Sequence, residues 1–130
     1  MKRLLISITV LLFSHINFAE NNVLEVDLSG VKEVMESIVA PATNTLWSVE
    51  NPTTDEEWEI LEQAAISTIA AGKLIDRNNL IWKKSNAQMI EAAQKGLDAI
   101  RSRNLDELYF ANDILYPPCE ICHKQFHPDM

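Results

Sequence analysis

The sequence predicts an all-α protein, an antiparallel up-down-up-down bundle of four helices. The chain of 130 residues contains only three Gly and five Pro, so it offers few turns. Apolar residues recur at steps of three and four rather than two, which is the spacing of helices. Three helix-start patterns divide the chain into segments with short connections, and short connections make consecutive helices antiparallel.

The first predicted helix runs from about Gly30, just after a start at Ser29, to the mid-forties. Pro41 lies inside this segment and is expected to kink the helix or end its first half, because proline lacks an N–H and crowds the preceding turn. The residues of its apolar stripe are Val31, Val34, Met35, Ile38, Ala42 and Leu46.

The second predicted helix opens with a capping box formed by Thr54 and Glu57. It is expected to run to about Arg77, where Asn78-Asn79 marks a break. The residues of its stripe are Trp58, Leu61, Ala65, Ile69 and Leu74. Trp58 and Trp47 are expected to pack in the core, with Trp82 covering the outside of the bundle.

The third and fourth helices are predicted from two further capping patterns. Ser85 with Gln88 is taken as the start of the third, and Asn104 with Glu107 as the start of the fourth. Pro117-Pro118 is expected to break the last helix, which would restart with proline in its first turn. The third stripe is Met89 or Ile90, Ala93, Leu97 and Ile100, and the fourth is Leu108, Ala111, Leu115, Cys119, Cys122 and Phe126.

Residues 1–19 have the pattern of a secretory signal peptide, which leaves residues 20–130 as the bundle domain. Lys2 and Arg3 precede the apolar run 4–13, and cleavage is expected after Ala19 or at a neighbouring bond. A membrane anchor is the alternative, but a spanning helix needs roughly 20 apolar residues and this run is shorter. We therefore expect export to the periplasm without stable membrane insertion.

The charge of the chain is acidic, and loss of Lys2 and Arg3 with the leader takes the net charge from −8 to −10. Nucleic acid is excluded as a partner, because phosphate binding requires a basic face. Redox partner proteins with basic docking surfaces are favoured, although ordinary solubility explains the charge equally well. The run Asp55-Glu56-Glu57 is interpreted first as favourable charge at a helix N-terminus and second as a docking patch.

The segment 119–123 carries the chemistry, because Cys119-Glu120-Ile121-Cys122-His123 is the C-x-x-C-H pattern of covalent haem attachment. Thiols three residues apart share one face of a helix, so both can form thioether bonds to the vinyl groups of one haem. The adjacent His123 can then ligate the iron as the proximal ligand.

Two other interpretations use the same residues. Zinc could be bound by Cys119, Cys122, His123 and His127, although all four ligands would come from nine consecutive residues. The two cysteines could instead form a thiol-disulfide redox pair, but that motif normally opens a helix after a strand, and the sequence shows no strand pattern.

A C-x-x-C-H on the last of four helices resembles the class II cytochromes c, the cytochrome c prime group. The segments 35–41, 46–47, 52–58 and 92–126 resemble a bacterial subgroup of that family. The resemblance implies a haem c held between helices, His123 as proximal ligand, electron transfer or binding of small gases, and homodimers in some relatives. The chain departs from the family where many relatives have a basic residue in place of His127, and at Pro117-Pro118.

The sixth iron ligand separates two functions. Met35 matches the position at which low-spin relatives supply a methionine, and a thioether ligand suits a one-electron carrier. Met89 is a second candidate, and either methionine could simply pack in the core. Without a methionine ligand the haem would be five-coordinate and open to NO or CO. Neither function is enzymatic.

Overall fold

The computed structural model describes residues 26–127, so the expected leader and its cleavage site lie outside the described residues. Residues 26–127 are helical with no strand, and four helical segments pack against one another, which confirms the all-α class. None of the described helices is both long enough and apolar enough to span a membrane. The elements are α1 (Val31–Val34), a π-helical turn (Met35–Val39), α2 (Ala40–Trp47), α3 (Asp55–Leu74), α4 (Leu80–Arg101) and α5 (Leu105–Phe126).

The disruption expected at Pro41 takes the form of the π-helical turn between α1 and α2. The N–H of Ala40 donates to the carbonyl of Met35, five residues back. Pro41 follows at the first turn of α2, where its missing N–H is tolerated. Residues 31–47 therefore form one continuous helical segment with a locally widened turn, and Met35 lies in that turn.

The capping box predicted for α3 is confirmed. The Glu57 N–H donates to Thr54 Oγ1 at 3.2 Å, and the Thr54 N–H donates back to Glu57 Oε2 at 2.9 Å. The helix ends at Leu74, before the expected Arg77. Leu74 is 65% exposed and lies off the buried stripe.

The predicted start of α4 at Ser85 is wrong. The helix begins at Leu80, and the Asn79 side chain accepts hydrogen bonds from the N–H groups of Ile81 and Trp82 at 2.9 and 3.1 Å. The extra turn is stabilised by Trp82, which is 3% exposed and donates from Nε1 to the Ile75 carbonyl at 2.8 Å. Ser85 is buried within the helix.

The expected burial of two tryptophans is also corrected by the structure. Trp82 is buried and Trp47 is 40% exposed, whereas Trp58 is partly buried and packs against the core as expected. Trp82 lies in the added first turn of α4. Its ring packs on Phe126 of α5, with ring centroids 5.1 Å apart.

The predicted break of the last helix is wrong as well. Asn104 caps α5 as expected, accepting from the Glu107 N–H at 3.2 Å. The helix then continues through Pro117 and Pro118 to Phe126. Pro118 is buried and Leu115 is 1% exposed, so packing along α4 holds this segment helical despite two missing N–H donors.

The bundle is incompletely closed between its first and last helices. Helix α3 packs on α2, α4 packs on α3, and α5 packs along α4, whereas α2 and α5 hardly approach each other. Asn112 and the end of α2 connect the two helices. Asn112 Nδ2 donates to the Leu46 carbonyl at 2.7 Å, and Trp47 Nε1 donates to the Asn112 carbonyl at 3.2 Å. A gap opens from this contact toward the far end of α5.

Candidate cofactor site

A cavity of about 270 Å³ occupies the gap between α2 and α5. Its walls are almost entirely apolar and come from the π-helical turn, α2, α4 and α5. A second cavity of about 290 Å³ lies beside it and shares five lining residues with the first: Met35, Glu36, Trp82, Cys122 and His123. Together they have the size of an ordinary cofactor or ligand site, ~300–1,000 Å³.

The residues of the C-x-x-C-H motif border this space. Cys119, Cys122 and His123 lie in the last turns of α5 and line the first cavity, and Cys122 and His123 also line the second. Both cysteines are free thiols and partly buried. The Cys119 thiol donates to the Leu115 carbonyl, with Sγ 3.3 Å from the oxygen. The motif therefore presents two thiols and an imidazole to one apolar space.

The environment of the thiols keeps them protonated at neutral pH. Burial, together with the neighbouring Cys122, raises the pKa of Cys119 to about 11. Burial also raises the pKa of Cys122, and the nearby Ser85 hydroxyl partly offsets that rise. Redox-active cysteines have the opposite property, a lowered pKa, and usually lie at a helix N-terminus. The motif lies near the C-terminus of α5, where the helix dipole disfavours a thiolate. These properties argue against the thiol-disulfide alternative.

Both candidate methionines border the cavity. Met35 lines both cavities and lies on the opposite wall from the motif, in the π-helical turn. Met89 lines only the first cavity and is 4% exposed, with its terminal methyl close to Gly72 of α3. Met35 therefore borders both of the spaces that His123 lines, whereas Met89 borders one of them and also packs against α3.

Two polar side chains in the cavity wall were missed by the sequence analysis, because it placed the start of α4 at Ser85. Asn86 is 6% exposed, and its Nδ2 donates to the Gly72 carbonyl at 2.8 Å. Its Oδ1 is buried without a hydrogen-bond partner among residues 26–127. Ser85 is 2% exposed and lies beside Cys122. Extending the helical spacing of Met89 back through 86, 85 and 82 would have found them.

The ligand set of the zinc alternative does not converge. Within residues 26–127, no three or more His, Cys, Asp or Glu side chains are arranged to hold a metal ion. His127 is exposed at the end of α5 and lines only the second cavity, whereas Cys119 lines only the first. A haem does not need such a group, since one histidine and at most one further side chain ligate its iron.

The donor set at the cavity fits a covalently attached haem: two protonated thiols on one helix, an imidazole beside them, a thioether opposite and an apolar space between. No family model, curated protein or solved structure matches this chain. The functional assignment therefore rests on the motif and on the cavity that it borders.

Proposed function

We propose that this protein is a periplasmic monohaem c-type cytochrome of the class II kind that works as a one-electron carrier. One observation supports the proposal above all others. The C-x-x-C-H segment borders an apolar cavity in a four-helix domain, at the place where α2 and α5 do not close. Protein cores are normally close-packed, so an unfilled gap in a domain of this size is explained if a prosthetic group fills it and stabilises the fold.

The residues of α5 would hold the haem. Each thiol, Cys119 Sγ and Cys122 Sγ, would add its S–H bond across one vinyl group of the porphyrin, forming a C–S bond and placing the proton on the other vinyl carbon. His123 would give an imidazole nitrogen to the iron. When bound, the haem supplies the reversible one-electron change of the iron.

The remaining walls would tune and protect the haem. Val39, Trp82 and Met89 are apolar and largely buried, so they would exclude water from the cavity. A dry, apolar shell controls solvent access and therefore the redox potential. Met35 would provide the sixth ligand, and a thioether in that position raises the potential into a range suited to electron transfer.

A five-coordinate haem that binds CO or NO is the second candidate. The observation that favours it is the extent of the cavity of about 270 Å³, which reaches past Met35 to Thr43 and Trp47 along α2. A small diatomic ligand could occupy that end if Met35 does not ligate the iron. The two candidates differ in the sixth position alone.

The proposed partners are redox proteins with basic docking surfaces, and the resemblance to the class II cytochromes also suggests a homodimer. The acidic residues Asp55 and Glu56 are exposed at the start of α3. That position is at the end of the bundle remote from the motif, since α3 runs antiparallel to the segment 31–47. A docking contact there would not bring a partner close to the haem. Sedimentation of the purified protein would test the dimer.

The absorption spectrum tests the central proposal. The full chain is expressed with its own leader in a bacterial host able to attach haem, and the spectrum of the reduced protein is recorded before and after CO is added. We expect a Soret band that stays with the denatured polypeptide, and a narrow α band that CO leaves largely unchanged. A large CO shift would favour the five-coordinate candidate.

A matched pair of variants completes this test. Cys119→Ser with Cys122→Ser should abolish covalent haem, whereas Ser102→Ala, which removes an exposed hydroxyl at the end of α4, should not. Wild-type protein that folds as a helical bundle but shows no Soret band and no mass increase from haem would contradict the proposal.

A further inference from the structure

The turn between α3 and α4 combines positive charge with exposed aliphatic side chains. Residues 73–84 contain four cationic residues and one carboxylate, in a chain whose net charge is −8. Three large aliphatic side chains protrude in the same segment: Leu80 is 84% exposed, Leu74 65% and Ile81 42%. Exposed apolar residues clustered with charges of one sign indicate an interaction surface.

The cations of this segment differ from the others in their partners. Lys32, Lys95, Arg101, Arg103 and Lys124 each form an ion pair with a carboxylate. Lys73, Lys83 and Lys84 form no ion pair with any carboxylate of residues 26–127. Arg77 instead donates to the backbone carbonyls of Asp27 and Ser29 at 2.7 and 2.9 Å. Three lysines are therefore left to attract an external anion.

Helix geometry gathers these groups on one surface. Leu80, Lys83 and Lys84 are three and four residues apart, so they share the outer face of the first turns of α4. Lys73 and Lys83 line opposite sides of a shallow groove between α3 and α4, in which Asp76 is the single carboxylate. We call Lys73, Leu74, Leu80, Ile81, Lys83 and Lys84 the α3–α4 patch.

We propose that the α3–α4 patch docks this protein on an anionic phospholipid surface. Lysines around protruding aliphatic residues are suited to a bilayer surface. The lysine ammonium groups would bind the lipid phosphates, and the aliphatic side chains would insert at the boundary between headgroups and acyl chains. A protein interface fits less well, because stable ones need ~800 Å² per partner and are enriched in aromatic anchors. The patch contains no aromatic residue.

The acidic residues at the far end of α3 do not oppose this orientation. The exposed carboxylates Asp55 and Glu56 lie at the start of α3, and the patch lies at its end. A helix of 20 residues is about 30 Å long. The Debye length is about 8 Å at physiological ionic strength, so repulsion from the distant acidic end is screened while the patch touches the surface.

Docking through the patch would also orient the cavity. Trp82 lies between Ile81 and Lys83 in sequence and points inward, where it lines both cavities. The cavity would therefore lie behind the first turns of α4, about one helix diameter (~10 Å) from the membrane, which suits exchange of electrons with a membrane-bound partner. The docking itself does not depend on haem, so its test stands apart from the test of the cytochrome assignment.

Vesicle co-sedimentation tests the proposal with the protein as exported and purified. One set of vesicles contains equal parts of phosphatidylglycerol and phosphatidylcholine, and the other contains phosphatidylcholine alone. We expect binding to the anionic vesicles at low salt, release by added NaCl, and little binding to the neutral vesicles. Each lysine near the surface contributes about fivefold in affinity, so Lys83→Gln with Lys84→Gln should weaken binding about 25-fold. Leu80→Gln should weaken it severalfold.

Matched controls are available elsewhere on the chain. Lys95 is paired with Glu91 at 3.1 Å, and Ile60 is 53% exposed on α3, so Lys95→Gln and Ile60→Gln remove the same kinds of group outside the patch. Both should leave vesicle binding within about twofold of wild type. Absence of binding to anionic vesicles at low salt would overturn the proposal. So would equal losses in the controls, or binding to immobilised polyglutamate but not to vesicles, which would indicate an acidic protein partner.

Discussion

The side-chain amide of Asn86 donates a hydrogen bond of 2.8 Å to the backbone carbonyl of Gly72. Asn86 belongs to α4 and Gly72 to the last turn of α3, whose final carbonyls lack partners within their own helix. Trp82, also in α4, likewise donates from Nε1 to the backbone carbonyl of Ile75 at 2.8 Å. Two residues that line the candidate site therefore also hold α3 against α4, so the stability of the bundle and the shape of the cavity are linked.

Replacing Asn86 with alanine should lower the free energy of unfolding by about 1 kcal/mol, because the buried Gly72 carbonyl loses its donor while the unpartnered Oδ1 is removed with the side chain. Urea denaturation followed by circular dichroism measures the change. Asn44→Ala is the control, since Asn44 borders the same cavity but is exposed, and it should cost less than about 0.5 kcal/mol. Equal losses in the two variants would show that the bond to Gly72 adds nothing.

Alanine should be tolerated at one helical glycine and not at the other. A Cβ on Gly72 would lie 2.6 Å from Ile90 Cγ1, so Gly72→Ala should cost about 1–3 kcal/mol by overpacking. A Cβ on Gly96 would find its nearest neighbour at 3.7 Å, so Gly96→Ala should stabilise the helix by up to about 1 kcal/mol. Thermal unfolding of both variants gives the comparison.

The close approach at Gly72 also predicts a compensating pair. Ile90→Ala removes the two nearest atoms that an alanine at position 72 would meet, Ile90 Cγ1 and Cδ1, and leaves Met89 Cε at 3.1 Å. The double variant Gly72→Ala with Ile90→Ala should therefore be more stable than the sum of the two single losses implies. Strict additivity would mean that α3 and α4 relax apart instead of clashing.

The capping box of α3 should make stability depend on pH. Hydrogen bonds from the N–H groups of Thr53 and Thr54 lower the pKa of Glu57 below its usual value of 4.5. A lowered pKa in the folded state stabilises the protein fully above the unfolded pKa, and the contribution is lost as the pH falls through the folded pKa. Wild type should therefore exceed Glu57→Gln in stability near neutral pH and approach it in acid.

Urea unfolding at a series of pH values from neutral to about 3 measures this difference, since that range crosses the carboxyl titrations. Glu56→Gln removes a charge from the same helical turn but not from the capping box. The free energy of unfolding of Glu56→Gln should therefore stay closer to that of wild type across the pH series than that of Glu57→Gln does. If the two variants gave parallel curves, the effect would belong to the helix dipole rather than to the hydrogen bonds of Glu57.

The identity of the sixth ligand predicts different outcomes for the two methionines. If Met35 is the sixth ligand, as proposed, Met35→Leu should open the sixth position, so CO should shift the spectrum of the reduced variant strongly. Met89→Leu conserves volume in the core between α3 and α4 and should leave the CO response unchanged. Titration of the reduced proteins with CO, followed by absorption, separates them. A CO response that appears only in Met89→Leu would reassign the ligand.

The helices could be predicted from the sequence because their signals are local. Apolar spacing placed the four helices, and the caps at Thr54 and Asn104 act within one turn of the chain. The sequence analysis named Met35 and Met89 as candidate ligands, and the structure places both at the cavity that Cys119 and Cys122 line. Haem attachment, export and the resemblance to class II cytochromes stay predictions.

The tertiary structure decided what depends on contacts distant in sequence. Ser85 and Gln88 form a plausible local cap, yet α4 starts earlier because burial of Trp82 and its bond to Ile75 stabilise another turn. Packing against α4 likewise carries α5 through two prolines that local rules treat as a break. The gap between α2 and α5 has no local signal at all. It results from how four helices of given shape fill one core, which is a property of the packed bundle and not of any segment.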